Sequence, residues 1–181
     1  MKFALTLCLL FAGTAFAAEP FQLTSPDIRH GAAMGKAQEY TGFGCQGGNT
    51  SPQLLWSGAP TGTRSFALTV YDPDAPTGSG WWHWVIFNIP ADAHALPRNA
   101  GDPSKGLAPG QSLQSRTDYG SPGFGGACPP VGDKAHRYQF RLYALDVERL
   151  DLAPDSSAAL VGFMLNQHKL AVAEIEATYG R

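Results

Sequence analysis

The segment from Trp82 to Ile89 is apolar at almost every position and is cut off by Pro90. An apolar run of that length, bounded by a proline, reads as a central strand buried on both faces. The preceding segment, Arg64 to Tyr71, puts Phe66, Leu68 and Val70 on one face by period two. It stops at the proline-punctuated turn Asp72-Pro73-Asp74-Ala75-Pro76. His136 to Leu145 alternates in the same way, with Tyr138, Phe140, Leu142 and Ala144 together. Shorter strands are expected over 21–24, 54–56, near 112–117 and over 173–179. One helix is expected over 155–167, with Asp155 as its N-cap after Pro154 and Leu160, Phe163, Met164 and Leu170 at helical spacing.

Composition enters where the strands leave off. The chain holds 21 glycines and 14 prolines, and these two residue types fill fourteen of the 36 positions from 97 to 132. Irregular segments of that length in a compact domain are usually functional or disordered. Flanking strands and an embedded cysteine favour function here. The prediction is a mainly β chain with long Gly/Pro-rich loops.

The amino terminus carries an export signal. Lys2 precedes the apolar run Phe3 to Phe11, and Ala15-Phe16-Ala17 offers small residues for cleavage between Ala17 and Ala18. Cys8 lies inside the apolar run after Leu7, where a lipidation signal wants a small residue, so it reads as part of the signal. Residues 18–181 then form a single domain, expected in the periplasm or outside the cell. No later segment reaches the roughly 20 apolar residues that a transmembrane helix needs. Loss of Lys2 leaves 12 basic against 15 acidic residues, a formal charge of −3. That balance argues against nucleic acid as the partner. In an oxidising compartment the two remaining cysteines, Cys45 and Cys128, have one possible pairing.

Three titratable residues sit at strand ends. Asp72 continues the face of Phe66, Leu68 and Val70; His83 shares a face with Val85, Phe87 and Ile89; His136 shares the face of Tyr138, Phe140 and Leu142. If the first two strands are antiparallel neighbours, the end of one lies beside the start of the other, and the third start can join them. Three polar groups would then converge at the mouth of an apolar interior, the usual form of a small-ligand site. A carboxylate beside imidazoles favours the cationic rings, and cationic rings with glycine-exposed backbone N–H groups suit phosphate or sulfate. Gly125, Gly126 and the Pro129-Pro130 pair are candidates for a rigid wall, with Trp82, Trp84 and Tyr138 as aromatic walls. His30, His94 and His168 lack such company and read as surface residues. No metal spacing, cofactor motif, Gly-x-Ser-x-Gly elbow or His-Glu-x-x-His helix is present. Binding is therefore favoured over catalysis, and a hydrolase using the Asp/His set is the weaker reading.

Four blocks in order carry a resemblance: Tyr71-Asp72-Pro73-Asp74-Ala75-Pro76, Trp82-His83-Trp84, Cys128-Pro129-Pro130 and His136-Arg137-Tyr138. Together they resemble the phosphatidylethanolamine-binding proteins, in particular their bacterial Raf kinase inhibitor-like branch. The resemblance implies a β-sandwich-like core of two antiparallel sheets, a peripheral C-terminal helix and an anion pocket at one end. It implies that Asp72, Asp74, His83, Gly126, Pro129, Pro130, His136 and Tyr138 line or support that pocket. Cys128 stands where many relatives carry glycine, a departure that offers a tie from the pocket wall to Cys45. The implied ligand is a phosphorylated small molecule or phospholipid headgroup, with no cofactor. The alternative is a secreted inhibitor acting on a protein partner such as a protease or kinase.

Overall fold

The computed structural model describes residues 19–181; the signal peptide expected over residues 1–17, with Cys8, lies outside the described residues. In chain order the strands are β1 (Gln22–Thr24), β2 (Thr41–Gly42), β3 (Cys45–Gln46), β4 (Leu54–Ser57), β5 (Ser65–Asp72), β6 (Trp81–Pro90), β7 (Ala95–Leu96), β8 (Leu113–Gln114), β9 (His136–Leu145) and β10 (Lys169–Tyr179). Among the described residues a single α-helix, α1 (Ala158–His168), runs directly into β10.

The strands form a five-stranded antiparallel sheet in the order β10-β9-β5-β6-β8, a three-stranded one in the order β1-β4-β7, and the β2-β3 hairpin. One face of the large sheet presents Phe66, Leu68, Val70, Trp84, Phe140 and Leu142 to Leu23, Leu54, Trp56 and Leu96 of the smaller sheet. The other face presents Ala67, Val85 and Phe87 to Val161 and Leu165 of α1. Burial of apolar side chains of that size contributes about 1.5–3 kcal/mol each. β6 lies inside the sheet between β5 and β8, and 82–89 is apolar at all but His83 and Asn88 because one face meets a sheet and the other a helix.

Two irregularities in the β5–β6 pairing decide which side chains reach the site. Phe66 pairs with Ile89 but Leu68 with Ile86, so Phe87 and Asn88 together oppose Ala67. Asn88 takes a positive φ of 58°, a conformation asparagine tolerates. Its amide is clamped to Leu150, accepting from the backbone N at 2.7 Å and donating to the carbonyl at 3.2 Å. Further along, Val70 pairs with Trp84 and Tyr71 with Trp82, leaving His83 as the extra residue. Such a bulge turns two successive side chains to one side. His83 therefore points with Trp84 toward the sandwich interior, whereas Val85 and Phe87 pack on the helix side. The expectation that His83 shares their face is corrected: pairing, not alternation, aims the ring.

The helix also differs from expectation. It starts three residues after Asp155, capped by Ser157, whose Oγ accepts from Leu160 N at 3.2 Å. Its buried positions are Ala158, Val161 and Leu165, while Leu160 and Phe163 are exposed. The smaller side chains fit closely over Ala67 and Val85, so the bulkier set faces outward. β10 is longer than expected because it follows α1 without a loop, and the strand near 112–117 shrinks to two residues.

Candidate functional site

β5 lies between β6 and β9 and is antiparallel to both, so its end meets the starts of its two neighbours. Asp72, His83 and His136 consequently line one cavity of about 180 Å³, together with Pro129, Pro130 and Tyr138. That volume lies below the roughly 300 Å³ at which drug-sized pockets begin, so it fits a small ligand or headgroup. All three titratable side chains are buried.

Asp72 is fully engaged. Its Oδ2 accepts from His136 Nδ1 at 2.8 Å, and its Oδ1 accepts from the backbone N–H groups of Asp74 and Ala75 at 2.8 and 3.1 Å. The same carboxylate thus caps the proline turn and orients an imidazole. The second nitrogen of His136 lies 3.6 Å from Asp133 Oδ2.

His83 is held differently. Its Nδ1 donates to the Gly125 carbonyl at 2.7 Å, and Gly125 N donates back to the His83 carbonyl at 2.8 Å. A carbonyl only accepts, so the proton sits on Nδ1. Burial pushes the pKa of His83 below the ordinary histidine range, against weaker pulls from Gly125 and Asp72. The ring is therefore neutral at neutral pH, not cationic as the sequence suggested. Its Nε2 is buried without a hydrogen-bond partner among the described residues, and so is the Tyr138 hydroxyl. Burial raises the Tyr138 pKa, which keeps that hydroxyl protonated.

Two other expected residues stand outside the cavity. Asp74 grips Arg137 through Nη2 at 2.7 Å and through Nε and the backbone N at 2.9 Å each. The guanidinium holds its carboxyl down at about 2. Gly126 lies behind the wall, its N–H spent on Asn49 Oδ1 and its carbonyl on the Tyr119 hydroxyl, both at 2.7 Å. A Cβ at Gly126 would lie 2.3 Å from the Gln38 carbonyl oxygen, so close backbone packing requires glycine there. Neither Gly125 nor Gly126 keeps a free N–H for an anion, which removes the expected glycine nest.

The aromatic wall comes from neighbours of the residues expected. Trp84 is buried and donates its Nε1 to Gln114 Oε1 at 2.7 Å; Trp82 packs against Tyr71, the rings tilted by 43°, on the opposite face of the sheet. Trp81 and Tyr119 wall the cavity, edge to face with ring centroids 5.4 Å apart, and Phe43 stands at its mouth. Trp81 pairs directly with Asp72 across the strands, a clue that needs the register to be read. Tyr119 lies in the irregular 97–132 segment, where no periodicity marks it.

The cysteines do pair. Cys45 and Cys128 form a disulfide with Cα atoms 6.0 Å apart, tying β3 to the Pro129-Pro130 wall. Arg181 braces the same place, donating to the Pro129 carbonyl at 2.6 Å and the Gly44 carbonyl at 3.2 Å. Among the described residues, no cluster of three His, Cys, Asp or Glu side chains is placed to hold a metal ion. Nor is any helix among them long and apolar enough to cross a membrane.

Comparison with known proteins agrees with this architecture. The protein YbcL of Escherichia coli strain K12 is 53% identical over 171 residues, covering 94% of this chain and 93% of its own length. YbhB of the same organism is 48% identical over 158 residues, covering 87% and 99%. The crystal structure of YbcL, described as a new member of the mammalian PEBP family, superposes with a TM-score of 0.87 at 55% identity, covering 89% of this chain and 98% of that one. CT736 of Chlamydia trachomatis superposes with a TM-score of 0.73 at 30% identity, covering 89% and 97%. The profile of the phosphatidylethanolamine-binding proteins matches residues 24–180, which takes in every strand but the first residues of β1, and the chain belongs to that family.

Proposed function

We propose that this chain is an exported binding protein whose cavity holds a phosphorylated small molecule or a phospholipid headgroup. The observation that carries this reading is one buried cavity where His83 Nε2 and the Tyr138 hydroxyl lack partners beside the Asp72–His136 pair. Buried polar atoms without partners are costly, and a polar ligand between them removes that cost. His136 is held by the Asp72 carboxylate, Tyr138 offers a neutral donor, and the proline and aromatic walls exclude water. Export is supported by the Lys2, Phe3–Phe11 and Ala15–Ala17 arrangement and by the disulfide, which suits an oxidising compartment. Binding is favoured over catalysis because neither ring is hydrogen-bonded to a serine, threonine or cysteine side chain among the described residues.

Calorimetric titration with inorganic phosphate and phosphoethanolamine tests the pocket. The His136→Ala variant should bind about tenfold or more weakly, the usual loss for one charge-assisted contact. Equal affinities, or no binding by the native protein, would overturn the reading. Intact-mass measurement of the exported protein should show a chain beginning at Ala18.

A further inference from the structure

His83 meets the cavity as an acceptor, not as a donor. The reciprocal bonds with Gly125 fix the ring and put its proton on Nδ1, away from the ligand. Tyr119 and Tyr138 pack edge-on against the ring at centroid distances of 5.5 and 5.0 Å, leaving it no room to turn over. The titratable groups around it are Asp72, Asp118, His136 and the phenols of Tyr119 and Tyr138, and of these only the two carboxylates favour a charged ring. Asp72 already accepts three hydrogen bonds, one from His136. Asp118 is spent on Trp82 N at 2.7 Å. The phenols are neutral, and desolvation outweighs the remaining pulls on the ring. A bare lone pair at Nε2 repels a fully ionised oxygen and attracts one that carries a proton.

Resting on the binding function above, we propose that the pocket selects oxyanions bearing their own proton, namely hydrogen phosphate and the singly ionised forms of phosphonates and phosphate monoesters. It disfavours sulfate, sulfonates and phosphate diesters, whose oxygens have none to give. A headgroup ammonium offers the same chemistry to His83, so a phosphodiester gains entry only when it brings such a donor. A site built to hydrogen-bond a ligand O–H rejects the analogue lacking it, because a buried polar atom is left unpaired.

Methylphosphonate and methanesulfonate provide the test. At about pH 5, below the second ionisation of phosphate groups at roughly 6, both carry close to one negative charge and share a shape, but only the phosphonate keeps a proton. Calorimetry on the native protein should find the phosphonate bound roughly ten- to hundredfold more tightly. In the His83→Gln variant the amide can turn its NH₂ toward the ligand, and the ratio should fall toward one. The diesters dimethyl phosphate and 2-aminoethyl methyl phosphate, compared in the same buffer, isolate the ammonium as donor: the first should bind weakly and the second well. Equal or reversed affinity for the sulfonate in the native protein overturns the selectivity while leaving an oxyanion pocket in place. Failure of every one of these anions, inorganic phosphate included, overturns the pocket itself and this inference with it.

Discussion

Asp72 and His136 face each other at the ends of adjacent strands, Oδ2 and Nδ1 2.8 Å apart with both side chains buried. The same carboxylate holds two turn amides, so binding geometry and turn geometry depend on one residue.

Replacing Asp72 by alanine should therefore cost more than a surface charge does. It strips His136 and two backbone N–H groups of their acceptor at once, and removal of one partner from a buried pair typically costs about 3–5 kcal/mol. Urea unfolding of native and Asp72→Ala protein measures it. A loss below about 1 kcal/mol would show that water replaces the carboxylate freely.

Asp74 should behave as a structural residue. Arg137 lowers its folded pKa from 3.8 to about 2, so the unfolded chain binds more protons between those values. Its contribution is present above about pH 4 and lost as pH falls through about 2. Because the pair is partly exposed, solvent screening limits the effect to about 1 kcal/mol. Asp74→Asn should flatten the decline in stability between pH 4 and pH 2, measured as urea midpoints, and leave phosphate affinity near native. A large loss of affinity would place Asp74 in the binding machinery instead.

The disulfide closes a long loop, and its reduction should destabilise the fold by about 4 kcal/mol in the chain-entropy model. Phosphate affinity should fall as well, because Cys128 immediately precedes the Pro129-Pro130 wall. Unfolding and calorimetry with and without reductant, alongside a Cys45→Ser/Cys128→Ser double variant, read both effects. Unchanged affinity would mean that Arg181 alone holds the wall.

Tyr138→Phe should separate stability from binding. The native hydroxyl is buried without a partner, so its removal should leave stability unchanged or raise it by about 1 kcal/mol. The same change removes a donor from the cavity and should weaken phosphate binding by about 1 kcal/mol, roughly fivefold. Parallel thermal melts and titrations decide it; a drop in stability with unchanged affinity would assign the hydroxyl to the core.

Much of the fold was legible because burial imposes periodicity. The faces of Phe66, Leu68 and Val70 and of Tyr138, Phe140 and Leu142 follow from alternation alone, and all six are core residues. Which helix face is buried is not legible in the same way. Ala158, Val161 and Leu165 and the bulkier Leu160 and Phe163 both satisfy helical spacing, and only the space left by Ala67 and Val85 chooses between them.

By itself the sequence determined the central strands, the positions of Asp72, His83 and His136 at strand ends, and the single possible pairing of Cys45 with Cys128. These depend on local pattern: period two, proline stops and a count of thiols. The tertiary structure alone decided the direction of His83, its tautomer and charge, and the choice of Trp81 and Tyr119 over Trp82 and Trp84 as walls. Each of those rests on a relation between distant residues: an extra residue opposite Val70 and Tyr71, a carbonyl 42 positions away at Gly125, and a loop tyrosine brought beside it. Strand register sets the direction of a side chain, and its partners set its charge; both arise only when the strands pair.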